Sequence, residues 1–135
     1  MTEPNLLSSL AGFALYFMIA VVMIKLLLWA YEKLTPYDEG ALITENNIAA
    51  AISYTGAKIG LAIPMAFACF QSVGIFDFII WSLVAFAAQM TLFGVTVFAR
   101  PLLISQIKVG HVAGALRLAG SSVAVGLLNA AAMSY

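Results

Sequence analysis

Four apolar stretches, at residues 6–31, 46–71, 76–99 and 111–135, are each long enough to cross a bilayer as an α-helix. Between them lie two polar connectors and one short turn. A hydrocarbon core about 30 Å thick takes about 20 helical residues. In that solvent every backbone N–H and C=O must be paired inside the protein, which leaves a helical bundle as the natural solution. The composition agrees. Hydrophobic residues make up 64% of the chain and charged ones 9%, and a mean hydropathy of +1.05 excludes an ordinary soluble domain. The reading is an all-α membrane protein with four transmembrane helices, forming one integral membrane domain over residues 1–135.

The first and third spans are bulky, with Phe13, Tyr16, Phe17, Met18 and Leu26 to Leu28 in one, and Phe76, Phe78, Trp81, Phe86, Phe93 and Phe98 in the other. Thr35-Pro36 and Arg100-Pro101 end them, because proline lacks an amide donor and pushes the preceding residue out of helical space. The second and fourth spans are crowded instead with Ala, Gly and Ser. Gly56 and Gly60 form a GxxxG pair, and Gly110/Gly114 and Gly120/Ala124 repeat the small-xxx-small spacing that lets helices approach closely in a membrane. Gly56, Gly60, Gly114, Gly120 and Ala124 are therefore the expected packing positions. Pro64 should kink the second span. Thr44-x-x-Asn47, with Asn46 inside it, reads as the N-cap region of that span. Leu42 and Ile43 suggest a short interfacial segment in the first connector.

Sliding the second span by 64 positions onto the fourth pairs Ala49 with Ala113, Ala51 with Ala115, Gly56 with Gly120, Ala66 with Ala130 and Ala68 with Ala132. Chance matching among Ala-rich helices is the alternative. The shared order of bulky span, proline exit, polar connector and small-residue span favours two duplicated helical hairpins, at about 6–71 and 76–135. Each hairpin crosses twice, so the copies are parallel, with the small-residue helices central and the bulky ones toward lipid.

Lys33, Arg100 and Lys108 cluster at the connectors, whereas both termini and the 71–75 turn carry no Lys or Arg. The positive-inside rule then places connectors 32–45 and 100–110 in the cytoplasm and both termini in the periplasm. Residues 1–5 include Glu3 and no basic residue, and the apolar run that follows is too long for a signal peptide, so the first span is expected to be retained.

Six basic and six acidic residues cancel, so no global field attracts nucleic acid. The lone Cys69 sits between Ala68 and Phe70 with nothing to lower its pKa, and reads as an inert core thiol. His111, at a helix start without a second histidine or an HExxH pattern, reads as a capping residue and not a metal ligand. No phosphate loop and no Ser/His/Asp set points to catalysis, and no cofactor or metal is expected. Lys58, about 18 Å along the second helix, is an intramembrane charge and so a functional candidate. It points away from the Gly56/Gly60 face, however, and its stem is long enough to snorkel. Gln89 and Asn129 are candidates for lining a pathway, with interhelical hydrogen bonding as the plainer role. Asp38, Glu39 and Glu45 form an acidic connector group, read as solvated and available to a basic partner.

Over nearly its whole length the chain resembles the YjfL-type family of small bacterial inner-membrane proteins of unknown function. The resemblance rests on Tyr16-Phe17, Thr35-Pro36, Glu39, Leu42-Ile43, Asn46-Asn47, Ala49, Gly56, Gly60 and Ile63-Pro64. Asp77, Trp81, Gln89, Pro101, Asn129-Ala130-Ala131 and Met133 extend it. It implies four spans in two hairpins in a bacterial plasma membrane, and gene neighbourhoods linked to membrane stress and phage-shock-type peripheral proteins. It brings no catalytic residue or ligand. The family pattern is apolar where this chain has Lys58, which shifts weight to Asn46, Asn47, Gln89 and Asn129. The leading expectation is a non-enzymatic, homo-oligomeric module of the inner membrane, linked to envelope stress and engaging a peripheral cytoplasmic protein. The rival is a small oligomeric channel or transport component.

Overall fold

A computed structural model describes residues 5–133. Residues 1–4, on which part of the signal-peptide reading rests, and residues 134–135 lie outside the described residues. The chain runs α1 (Leu6–Leu34), α2 (Glu39–Thr44), α3 (Ile48–Gln71), α4 (Ile75–Ala99), α5 (Leu103–Lys108) and α6 (Val112–Ala132). Helices α1, α3, α4 and α6 are long and apolar enough to cross a membrane. Among the described residues there is no strand.

Local chemistry sets the boundaries. Asn5 caps α1 by accepting from the Leu7 amide at 3.3 Å. At the other end Thr35 is extended (φ −77°, ψ 141°), as a residue before proline should be, so α1 stops there. Arg100, before Pro101, ends α4 in the same way. Pro64 does not end α3, which continues through it as one helix.

The two connectors have the same backbone design 64 residues apart. Each holds a six-residue helix followed by a residue at positive φ, Asn46 (64°) in one and Gly110 (86°) in the other. Next comes an extended N-cap, Asn47 (φ −78°, ψ 102°) or His111 (φ −75°, ψ 98°). The bond from the Asn47 amide to the Leu42 carbonyl (2.9 Å) recurs from His111 to Gln106 (2.9 Å). Asn at the left-handed position of the first connector and Gly at that of the second fit the two residue types that tolerate it best.

In the bundle, α3 and α6 make the principal contact, and α4 packs against both. The buried positions of α3 from Ala49 through Ser53, Gly56 and Ala57 to Gly60 form a stripe of small residues, continued by the larger Leu61, Pro64 and Met65 before Ala68. Those of α6 are Ala115, Leu118, Ala119, Ser122, Gly126 and Ala130. The bulky α1 lies outermost and is buried only at Leu27, Leu28 and Tyr31, near its end. There Tyr31 meets Phe93 of α4 edge to face, with ring centroids 5.7 Å apart. Its exposed Leu6, Phe13, Phe17 and Met18 face surroundings that lipid tails satisfy as well as protein would.

Asn47 ties the two connectors together. Its Oδ1 accepts from the Ala50 amide at 3.0 Å, while its Nδ2 donates to the carbonyls of Ile107 (2.9 Å) and Lys108 (3.2 Å). We predict that Asn47→Ala lowers stability by about 1–2 kcal/mol, the cost of a good N-cap. The same variant should speed amide exchange in α5. Unchanged protection of α5 would show that the cross-connector bonds do not hold it.

Candidate functional site

The centre of the bundle is built around one carbonyl. Proline has no N–H, so Pro64 cannot close the helical bond to the carbonyl four residues back, at Gly60. In lipid no water takes its place. Gln89 of α4 does: its Nε2 donates to Gly60 O at 2.9 Å and to Ser122 O of α6 at 3.0 Å. Both partners are acceptors, which fixes the amide nitrogen as the end that faces them. Gln89 is 6% exposed, so the side chain is consumed in joining three helices rather than facing an opening.

This junction forms because the α3 and α6 backbones touch. A Cβ at Gly56 would collide with the Ala119 backbone, one at Gly60 with the Ser122 carbonyl, and one at Gly126 with the Gly60 carbonyl. The packing face of α6 is therefore Ala119, Ser122 and Gly126. Gly120 and Ala124, the expected partners, lie off it: Ala124 is exposed, and a Cβ at Gly120 would meet nothing within 4 Å. The reason is helical phase, since 100° per residue puts positions 119, 122 and 126 on one stripe and 120 and 124 beside it. Gly114 packs locally, its added Cβ falling 3.3 Å from Gln106 and 3.4 Å from Leu103 of α5.

At the connector end the acidic group divides. Asp38 is exposed and caps the start of α2, accepting from the Ala41 amide at 3.0 Å, and Glu45 is exposed at the other end of α2. Glu39, expected to be solvated, is 1% exposed. This corrects its assignment as a partner-binding residue, because no partner can reach it. Its Oε1 lies 2.7 Å from Thr35 Oγ1, and its Oε2 is buried without a hydrogen-bond partner. Burial, aided by the Glu32 and Asp38 carboxylates and opposed by the Thr35 hydroxyl and its own backbone amide, pushes its carboxyl up to about 7. The buried Tyr37 beside it, whose hydroxyl is 3.4 Å from Ser53 Oγ, is also raised, again chiefly by burial. Sequence reasoning missed this layer of Tyr31, Thr35, Tyr37 and Ser53. A usable signal was that Glu39 lies 64 residues before Leu103, the 1%-exposed first residue of α5.

The other candidates are dispersed. Lys58 is exposed on the far side of α3 from Gly56 and Gly60, its Nζ 5.3 Å from the Tyr54 ring centre. Asn129 is half-buried with an unpartnered Nδ2. Asn46 is exposed and serves the turn, and His111 caps α6, accepting from the Gly114 amide at 3.4 Å. Cys69 is a half-buried free thiol. Among the described residues no group of three or more His, Cys, Asp or Glu is placed to hold a metal.

Four spanning helices, joined through backbone contact and one amide, with capped connectors gathered at one end, define a multi-pass helical membrane protein. Residues 5–133 match the family described as Domain of Unknown Function (DUF350), and the chain belongs to that family. It is 33% identical over 131 residues to the UPF0719 inner membrane protein YjfL of Escherichia coli (strain K12), covering 97% of this chain and 99% of that one. The protein of the same name from Escherichia coli O157:H7 matches to the same extent. No solved structure matches.

The Gly60 junction makes a coupled prediction. Gln89→Leu should cost about 1–3 kcal/mol, the penalty for stranding a buried carbonyl. In a Pro64→Ala background, where α3 supplies its own donor, the same change should cost about 1 kcal/mol less. Thermal unfolding of the four proteins in one detergent measures the coupling, and equal costs in both backgrounds would refute it.

Proposed function

We propose that this chain is a non-enzymatic, self-associating module of the bacterial inner membrane. Its cytoplasmic face is a rigid connector platform that engages a peripheral protein in the setting of envelope stress. The observation that carries the reading is the Asn47 clamp, which joins both connectors into one surface displaying Asp38, Glu45 and Lys108. A fixed pattern of opposite charges on an ordered backbone suits a protein surface better than lipid headgroups. The cytoplasmic assignment rests on Lys33, Arg100 and Lys108 lying at the connector end. An inner-membrane location accords with the name of the Escherichia coli relative.

Self-association is supported by the groove that α3 and α6 leave open on their outer side. It is lined by Thr55, Gly56, Ile59, Leu116, Gly120 and Val123. The displaced Gly120 lies there, where a neighbouring helix could approach closely. A pathway through the centre of one protomer is disfavoured, because Gln89 spends its amide on two backbone carbonyls. The recurrence of the connector geometry after 64 residues supports duplication of a hairpin as the origin of the fold.

Two substitutions test this reading. Asp38→Asn keeps the α2 cap while removing charge, and with Glu45→Lys it should abolish crosslinking to the peripheral protein in intact membranes without moving the thermal midpoint. Gly120→Leu should reduce the particle to a protomer in mild detergent while the fold persists. Unaltered crosslinking sinks the docking role, and an unaltered particle size sinks the proposed interface.

A further inference from the structure

We infer that Glu39 is a proton-binding site, built by the seating of α2 on α3, whose buried carboxyl takes up and releases a proton through the adjoining cavity. This goes beyond the module reading and depends on no partner.

Hydrogen-bond counting carries the argument. Thr35 Oγ1 lies 2.7 Å from Glu39 Oε1, 3.1 Å from the Glu32 carbonyl and 3.5 Å from the Tyr37 carbonyl. These are three acceptors around a hydroxyl that owns one proton. A carboxylate at position 39 would have to take that proton, leaving the carbonyls without it; its own backbone amide is the other donor that favours the charge, and Oε2 would still be buried and bare. With Glu39 protonated, its own O–H donates to Thr35 Oγ1, and the Thr35 proton turns to the Glu32 carbonyl. The oxygen left over then belongs to a neutral acid, which is far cheaper to bury than half of an unpaired charge.

The surroundings agree. Around Glu39 are Tyr31 and Glu32 from α1, Thr35, Tyr37 and Asp38 from the connector, and Tyr54 from α3, with Lys33 on the rim of the adjoining cavity. The carboxylates of Glu32 and Asp38 oppose a third negative charge, and none of the influences on the Glu39 carboxyl is a cation. The matching position in the second connector is the buried Leu103, so the seat is one that accepts a neutral side chain. A cavity of about 400 Å³, bordered by Glu32, Lys33, Pro36 and Asp38, reaches Glu39 and gives the proton a route to water. Release leaves a carboxylate on Glu39 and transfers the proton to water, with no other reactant needed.

The test uses the full chain in lipid nanodiscs. Infrared difference spectra should show a protonated carboxyl stretch that bleaches with a midpoint of about 7 rather than at the ordinary 4.5, and that is absent in Glu39→Gln. The folded state keeps a proton that the unfolded chain gives up above 4.5. Stability should therefore be full below that value and fall as pH rises to about 7, then level off. Glu39→Gln and Glu39→Leu should flatten this dependence. A band that survives in Glu39→Gln, or a midpoint at the ordinary value, overturns the proposal. So does failure of both neutral variants to fold, since the seat would then require charge.

Discussion

The carbonyl of Gly60 is the group on which the bundle depends. Pro64 removes its helical partner, lipid offers no substitute, and a donor from a neighbouring helix meets the need. Gln89 supplies it, and because the Ser122 carbonyl shares the same amide, the donor also fixes α6 against α3. The glycines follow from this. Gly60 and Gly126 must lack side chains for two backbones to come within reach of one amide, and Gly56 extends the contact toward the connectors. The interaction is worth little as a hydrogen bond alone, about 0.6 kcal/mol in a typical membrane protein. Its weight comes from the penalty of leaving the carbonyl bare.

The connectors solve a different problem in the same terms. Where the chain leaves the bilayer, each long helix needs its free amides capped, and each turn needs one left-handed residue. Asn46 and Asn47 meet both needs in one connector, Gly110 and His111 in the other. The side-chain amide of Asn47 still has donors left, and these bind the second connector. Among the described residues His111 makes no counterpart bond, so the two connectors are alike in backbone and unlike in side chain. Glu39 likewise stands where the other connector has Leu103.

Much of the bundle was legible beforehand. The number of spans, their limits to within a few residues and the central placement of the Ala/Gly-rich helices follow from run length, Thr35-Pro36, Arg100-Pro101 and side-chain bulk. The polar candidates were legible only as residue types. Gln89 could be foreseen as interhelical glue, and Pro64 four residues beyond Gly60 hinted at the carbonyl it would need to reach. Gly120 and Ala124 fall outside the α3–α6 contact because a small-xxx-small pattern has no phase: it says that a close face exists, not which neighbouring stripe is used. Glu39 was misread because acidic residues in a connector are usually solvated, and burial depends on how α2 sits on α3.

The sequence by itself determined a four-span helical membrane protein of the DUF350 family with capped connectors, because apolar length, proline and short polar caps act over a few residues. Only the tertiary structure decided which glycines touch, that Gln89 closes the centre, and that Glu39 is buried beside Thr35. Those outcomes depend on the rotation and spacing of helices brought together from distant parts of the chain. A rotation of one residue step exchanges an exposed glycine for a contact, and the burial of a single carboxyl turns on the seat of a six-residue helix.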